Sequence, residues 1–383
     1  MLLITAATAA TVGLLIYLLY LIIEFKIGFN SIKKLSSQVT LPSDFLSSVS
    51  IIFSARNEER ILAKSIQSIL NLNYPNFEII AVNDRSTDNT SSILNQFESH
   101  ACFKAKHIQQ LAKGWLGKNS ALHIASQSAK GEWLLFTDAD VLMDKDLIAK
   151  AISYALENNI DHLTIYEHHI SSGFWLMITL LATYITYSMV MMPWRIKCSW
   201  SKKSLGHGAF NLVKKSCYLE CGGHRSIAME CFDDLKLGKL IKDNGFKQDI
   251  VDGKGLIERA WYHSLNEMIH GLKKNGFAYF NYSFLRFFTK FIFGLFFFIS
   301  PWAAIVMLQG PLQWLNLMNI ILTFWVAFIV AERFYMQKYY VLFYPIGILV
   351  LFYTLWHSVI TTYRRHGIIW RDTYYSLEEL RNR

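Results

Sequence analysis

Residues 1–23 carry no charged side chain, and three further apolar stretches follow residue 284. An uncharged run of that length can cross the hydrocarbon core of a bilayer. Such a chain cannot be one soluble globule; it must divide into membrane segments with a domain between them. The composition fits this division, with 52% of the 383 residues hydrophobic and a formal net charge of +9. The length leaves room for a full-sized enzymatic domain.

The opening segment lacks the positive start and small-residue cleavage site of a signal peptide, because Lys26, Lys33 and Lys34 come after it. It reads as a retained anchor over residues 1–30, with the domain that follows on the cytoplasmic side by the positive-inside rule. At the other end, residues 291–308, 315–330 and 340–360 are apolar. Three crossings there would put the basic tail (363–383, with Arg364, Arg365, Arg371, Arg381 and Arg383) outside, against the same rule. One stretch within 285–362 is therefore expected to be re-entrant, and Pro345 and Gly347 mark the last as the candidate. Residues 174–192 are also apolar enough to span. They separate two groups of acidic motifs that must meet, so an interfacial helix is the expected form. A multi-pass protein of the cell (plasma) membrane follows.

Between the membrane segments, after a polar linker (31–48), apolar strands alternate with amphipathic helices: strands at 49–53, 77–82 and 133–136, helices at 58–70, 90–97 and 145–156. This order predicts an α/β domain over about 45–280, with a largely parallel sheet flanked by helices. Ligands in such sheets bind at the carboxyl ends of strands. The five cysteines are an odd, irregular set, and Cys217, Cys221, His224 and Cys231 lack the paired spacing of a zinc site. Basic residues interleaved with stacking aromatics, the mark of nucleic-acid binding, are absent from the domain. His168-His169 reads as a polar loop pair.

Four constellations fall at the expected strand ends. Asn57-Glu58 follows the first strand. Asn83-Asp84-Arg-Ser-Thr-Asp88 follows the second; Thr87 or Asp88 can cap the next helix, while Asp84 is placed to accept from a uracil or ribose group. Asp138-Ala-Asp140 follows the third, where two carboxylates supply hard oxygen ligands for a divalent ion on a diphosphate. Asp233-Asp234 heads a helix, either as partners of its dipole or with one serving as general base. Neither a Ser-His-Asp or Cys-His nucleophile arrangement nor a Walker-type loop is present.

Together these stretches resemble the family 2 glycosyltransferases, from about residue 49 to 275. The match places Asn57-Glu58, the Asp84 motif (with Asn83 for the usual first Asp), the D-x-D pair Asp138 and Asp140, and Asp233-Asp234 for the family's Glu-Asp. Gly114-Trp-Leu-Gly-Lys-Asn-Ser-Ala-Leu122, Gly208-Ala-Phe-Asn-Leu212, Gly222-Gly-His224, Gly271-Leu-Lys-Lys-Asn275 and Trp370-Arg371 with Tyr374 are similar to a membrane-bound subgroup, the carotenoid- and hopanoid-associated enzymes. The resemblance implies a GT-A nucleotide-diphospho-sugar transferase domain and an inverting reaction at the membrane. Asp234 is the implied base with Asp233 beside it. Asn57, Glu58, Asp84, Lys118, Asp138 and Arg259 are implied at the donor, and Asp140 with Asp138 at Mg²⁺ or Mn²⁺. A nucleotide sugar, by family expectation UDP-linked, is the implied donor; a lipid or amphiphile is the expected acceptor.

The Gln-x-x-Arg-Trp motif of processive polysaccharide synthases is replaced by Glu258-Arg-Ala-Trp-Tyr262. There Arg259 either contacts the diphosphate or snorkels, and Trp261 either stacks on the acceptor or anchors at the interface. Lys118 is either a donor contact or solvated, and His224 a turn residue or an acceptor-site group. The rivals are a processive synthase, an inactive membrane scaffold, and a channel, which would need more polar groups in its spans.

Overall fold

The computed structural model describes residues 2–42 and 47–381. The domain boundary expected near residue 45 and the basic Arg383 therefore lie outside the described residues. The chain begins with α1 (Leu2–Asn30). The α/β domain then runs β1 (Val49–Ala55), α2 (Leu62–Leu70), β2 (Phe77–Asp84), α3 (Thr90–Phe97), β3 (Phe103–Ile108), α4 (Gly117–Ser126), β4 (Trp133–Phe136), β5 (Leu142–Met143), α5 (Leu147–Glu157), β6 (His162–Tyr166) and β7 (His168–His169). After α6 (Phe174–Met191) come β8 (Asn211–Lys214), α7 (Lys215–Glu220), α8 (Asp233–Asp243), β9 (Gln248–Asp252), β10 (Ile257–Arg259) and α9 (Leu265–Asn275). The chain ends with α10 (Phe284–Met307), α11 (Pro311–Arg333), α12 (Tyr344–Arg364), the hairpin β11 (Gly367–Trp370) and β12 (Thr373–Ser376), and α13 (Leu377–Arg381).

Seven strands form the main sheet in the order β3-β2-β1-β4-β8-β6-β9, with β8 antiparallel to both its neighbours and the other pairs parallel. β1 (Val-Ser-Ile-Ile-Phe-Ser-Ala) is buried along its whole length, as a strand covered on both faces must be. Its alternation divides the core. Ile51 and Phe53 pack with Leu62, Ile66 and Ile148 on one face, whereas Ile52 joins Leu122, Leu134 and Leu237 on the other. A three-stranded sheet, β5-β10-β7, lies beside the carboxyl edge.

Two expectations change. The first helix starts at Leu62 rather than 58, because Asn57 adopts a left-handed φ of 57° and the Glu58 N–H donates to Thr90 Oγ1 instead. His168 and His169 form a strand paired with β10, not a loop. The linker is also more ordered than its polarity suggests: Leu35 is buried in the domain core and Lys34 bridges to Asp252.

Among the described residues, five helices are long and apolar enough to cross a membrane: α1, α6, α10, α11 and α12. Connectivity separates them. α10 and α11, 24 and 23 residues, are each about 35 Å long, enough for a bilayer core of about 30 Å. They form a hairpin, and α11 returns to the domain, where Arg333 pairs with Asp252 of β9 at 2.5 Å. α1 runs alongside α11, with Thr11 Oγ1 accepting from Asn316 Nδ2 at one end and Phe29 against Phe334 at the other.

α6 leaves β7 and enters β8, both inside the α/β domain. Ser171 bonds Tyr262 before it, Tyr187 Oη meets His207 Nε2 at 2.8 Å, and Tyr184 stacks on Phe334 at the end of α11 (4.2 Å). Both ends of α6 are thus tied to the α/β domain. α12 lies between Arg333 at the end of α11 and the β11–β12 hairpin in the chain. Between α11 and α12 a short 3-10 helix, Lys338–Phe343, descends along α11 until Tyr344 Oη donates to Thr323 Oγ1. Thr323 precedes Arg333 by ten residues, about 15 Å of helix. From there α12 climbs back along α10 through Phe352 and Trp356. Gly347 permits the crossing with α6, since a side chain there would strike the Ile178 carbonyl. The chain thus turns back beside α11 before α12, and the β11–β12 hairpin that follows α12 stands against the loops after β1 and β2.

Single cysteines at Gly310 and Glu378, in a background without native thiols, check this arrangement in sealed vesicles. A membrane-impermeant thiol reagent should modify Glu378→Cys from the same side as Lys104→Cys, and Gly310→Cys from the opposite side.

Candidate active site

β4 delivers the chain to the carboxyl edge of the sheet, where Thr137 Oγ1 donates to the Ala209 carbonyl (2.7 Å) and holds the next turn in place. Asp138 there meets Lys118 Nζ at 2.9 Å and Arg259 Nη1 at 2.7 Å. Arg259 also reaches Asp140 Oδ2 at 3.2 Å, and Lys118 reaches Asp233 Oδ2 at 2.9 Å. Two cations, from α4 and β10, therefore weave together carboxylates from β4 and α8. Asp234 accepts from the Leu235 N–H at 2.8 Å. The main chain at Gly208 runs between the two groups: a Cβ there would stand 2.5 Å from Asp138 Oδ2 and 3.4 Å from Asp234 Oδ2. Only glycine fits without moving a carboxylate.

Burial disfavours the charged form of every carboxylate here, so the cations decide which stay ionised. For Asp138, Lys118 and Arg259 overcome burial and hold it well below the usual carboxylate range. Asp140 is shifted up, chiefly by burial, with Arg259 opposing and Asp138 adding to the rise. Asp233 is pushed up to about 6 by burial, against Lys118, with Asp234 and Asp138 contributing. Asp234 is also raised, first by burial. Burial likewise works against the charge on Lys118 and Arg259, but the surrounding carboxylates outweigh it and raise both. Removing either cation would strand a buried carboxylate, which typically costs about 3–5 kcal/mol.

The loops after β1 and β2 are laced together. Asn57 Oδ1 accepts from the Thr87 N–H (2.8 Å), Ser86 Oγ from the Asn57 N–H (3.1 Å), and Asp88 from the N–H groups of Thr90 and Glu59. Asp88 thus takes the helix-start role. Asp84 does not: its Oδ1 accepts from Arg85 Nε (2.8 Å), and its Oδ2 is buried without a partner. A buried carboxylate oxygen left bare at a sheet's carboxyl edge fits a ligand donor. Gly117, at the start of α4, has no room for a side chain against Asp84.

Asn57, Glu58, Asp84, Lys118, Asp138, Asp140, Asp233, Asp234 and Arg259 therefore gather along one edge. His224 does not join them. It is 1% exposed, hydrogen-bonded to Tyr218 Oη at 2.9 Å and packed on Phe136, so its place is that of a turn residue in the core. Trp261 stacks on Tyr262 and packs against the membrane-side core.

Three groups had no site role assigned from the sequence, although Arg371 stood in a tail motif. Arg371 meets Glu58 (3.3 Å) and Asp372 meets Arg56 (3.5 Å), so the C-terminal hairpin stands over the site. His207 lies between Glu167 (2.9 Å) and Tyr187 (2.8 Å), and it is shifted up because Glu167 and Asp234 outweigh burial. The glycines around His207 hinted at a close approach; nothing local in the sequence pairs residue 371 with residue 58.

Among the described residues, no cluster of three or more His, Cys, Asp or Glu side chains could hold a metal ion by itself. Asp140 nevertheless has a buried, unpartnered Oδ1 beside Asp138. Such a pair suits an ion whose remaining ligands come from a diphosphate, as is common for Mg²⁺.

A carboxylate pair after a parallel strand, cations woven through it and a second acidic pair at a facing helix define the class of nucleotide-sugar-transferring folds. Residues 50–218 match the model for Glycosyl transferase family 2. A 4,4'-diaponeurosporenoate glycosyltransferase of Staphylococcus haemolyticus is 27% identical over 238 residues, 60% of this chain and 60% of that protein. A poly-beta-1,6-N-acetyl-D-glucosamine synthase of Staphylococcus epidermidis is 33% identical over 98 residues, 26% of this chain and 23% of that one. The chain thus spans 60% or less of the length of these curated relatives. The fold of a mannosyltransferase from Pyrobaculum calidifontis, solved with GDP-Man and Mn²⁺, covers 94% of this chain and 97% of that one at a TM-score of 0.56 and 18% identity. Over residues 50–218 the chain is similar to the family 2 glycosyltransferases, and the domain has the GT-A fold.

The raised Asp233 sets a pH dependence. Its folded pKa, about 6, lies above its unfolded value of 3.8, so its stability contribution is complete below about pH 4 and is lost as pH rises to 6. Asp233→Asn removes that loss. In thermal unfolding of the detergent-solubilised protein, the Tm of the variant relative to wild type should climb between pH 4 and 6 and stay level above.

Proposed function

We propose that this protein is a membrane-bound, inverting glycosyltransferase that moves a sugar from a nucleotide-diphosphate donor to a lipid or amphiphilic acceptor. The observation that carries this reading is the cation-woven cluster Asp138, Asp140, Asp233 and Asp234. The donor's nucleoside would lie against Asp84 and the Asn57–Glu58 loop, with the bare Asp84 Oδ2 accepting from a ring N–H or ribose hydroxyl. Lys118 and Arg259 offset the donor's phosphate charge while keeping Asp138 ionised. A divalent ion, Mg²⁺ or Mn²⁺, would be held by Asp140 with Asp138 beside it, and when bound would neutralise charge on the leaving diphosphate.

Asp234 takes the proton from the acceptor hydroxyl as its oxygen attacks the anomeric carbon, opposite the leaving group. Its pKa, raised first by burial, makes the carboxylate a stronger base than a solvated one. Asp233, paired with Lys118, holds the start of α8 against the donor side. α6 and Trp261 lie on the membrane flank of this arrangement, which supports an acceptor arriving from the bilayer. The charge distribution supports a cytoplasmic catalytic domain. Lys26, Lys33, Lys34, Arg333, Arg364 and Arg365 all lie at the domain ends of their helices, and residues 308–310 between α10 and α11 are uncharged.

A processive synthase is the second reading, supported by the partial match to the Staphylococcus epidermidis synthase. The Glu258-Arg-Ala-Trp-Tyr262 replacement and the small number of spans weigh against it.

Release of nucleoside diphosphate, followed with a panel of nucleotide sugars, membrane lipid extract and Mn²⁺, tests the reading. Asp234→Asn should lower kcat by about 10²–10⁴-fold with donor affinity retained, as expected for loss of a general base. Asp140→Asn and chelator should each abolish turnover. Turnover untouched by all three would overturn the assignment.

A further inference from the structure

The turn of the β11–β12 hairpin is made by Arg371 and Asp372, with φ of 46° and 65°. A two-residue turn with both residues left-handed normally takes Asn-Gly. Two charged side chains holding that conformation are strained, and such strain persists only where the surroundings over-determine it. Here three contacts do so. Arg371 Nη2 meets Glu58, Asp372 meets Arg56, and Thr373 Oγ1 accepts from Arg85 Nη1 at 3.3 Å. Tyr375 adds a fourth, buried in one cluster with Leu116, the residue before α4. The hairpin therefore touches the loops after β1 and β2 and the start of α4, the three pieces of chain that face the bare Asp84 oxygen.

Its two ends are held differently. At the base, Ile368, Tyr375 and Leu380 are buried with Leu116, Phe277 and Phe287. At the tip the Asp372 side chain is 80% exposed, and ion pairs of that kind contribute little to stability. A fixed base and a weakly held tip let Arg371 exchange partners without unfolding the hairpin.

The charges around Arg371 name the partner it would exchange to. Its guanidinium is close enough to Glu58 and Asp138 to favour their ionisation, and its Nη1 is buried with no partner. Lys274 stands over the Trp370 ring at 5.5 Å, and its pKa is lowered by burial and then by Arg371. Arg371, Lys274 and Arg259 therefore face one region from three elements that are distant in sequence. An anion with several oxygens spread over a few ångströms would relieve that repulsion, and the guanidinium fork matches phosphate oxygens.

We propose that the C-terminal hairpin is a wall of the donor site and that Arg371 binds the donor's diphosphate, exchanging Glu58 for phosphate oxygens when the nucleotide enters. This rests on the nucleotide-sugar reading above. Because α12 carries the hairpin and packs on α6, the wall is attached to the same helices that face the bilayer.

The test uses full-length protein in detergent, with Arg371→Gln and Arg371→Lys, and compares binding of a nucleoside diphosphate with that of its nucleoside. Arg371→Gln should weaken nucleoside diphosphate binding about tenfold or more, the usual size for a charge-assisted hydrogen bond. Nucleoside affinity and Tm should stay unchanged, and Arg371→Lys should recover part of the loss. Equal diphosphate affinity in Arg371→Gln and wild type would overturn the proposal. So would parallel loss of nucleoside, diphosphate and thermal stability, which would make the hairpin merely structural. Wild-type protein that binds no nucleoside diphosphate of any base would instead remove the transferase reading itself, and this inference with it.

Discussion

The bridging of buried carboxylates by Lys118 and Arg259 is the interaction on which the rest of this structure depends. Asp138, Asp140, Asp233 and Asp234 converge from a strand end and a helix start, and burial alone would neutralise or separate them. One lysine reaches Asp138 and Asp233, and one arginine reaches Asp138 and Asp140. Each cation has two carboxylate partners, so the sheet edge, α4, α8 and β10 are tied at one place. The four groups are not equivalent as a result: Asp138 stays ionised, while Asp140, Asp233 and Asp234 are pushed toward the proton-bound form.

The membrane part is organised by the same need to bring distant pieces to one edge. α6 and α12 are both apolar enough to span, yet α6 begins and ends at the α/β domain and α12 starts partway along α11. α6 places Tyr187 against His207, beside the main chain that separates Asp138 from Asp234. α12 runs from its contact with Thr323 of α11 to the hairpin. Polar groups serve as joints: Tyr344 with Thr323, and Asn316 and Asn319 with Thr11 and the α1 main chain. Such side chains find partners between helices because hydrocarbon offers none.

Much of the catalytic domain was legible in the chain because its signals are local. Strands such as 49–53 and 133–136 are apolar runs between polar turns, and the acidic motifs stand directly after them. The shorter strands β5, β7 and β10 were not, since two or three residues carry no periodicity. His224 shows the opposite failure: two glycines before a histidine look like a site loop, but Tyr218 and Phe136 enclose the ring.

By itself the sequence determined the division into membrane segments and an α/β domain, and the carboxylates at strand ends that mark the family. These rest on spacing and hydrophobic period, which act over a few residues. The need for α6 to stay at the interface, and for one C-terminal stretch to turn back, also followed from the chain, as constraints of motif order and charge. Only the tertiary structure decided that Lys118 and Arg259 each serve two carboxylates, and that Arg371 meets Glu58 across more than 300 residues. Those pairings depend on burial and on where long connections end, and no local pattern in the sequence encodes either.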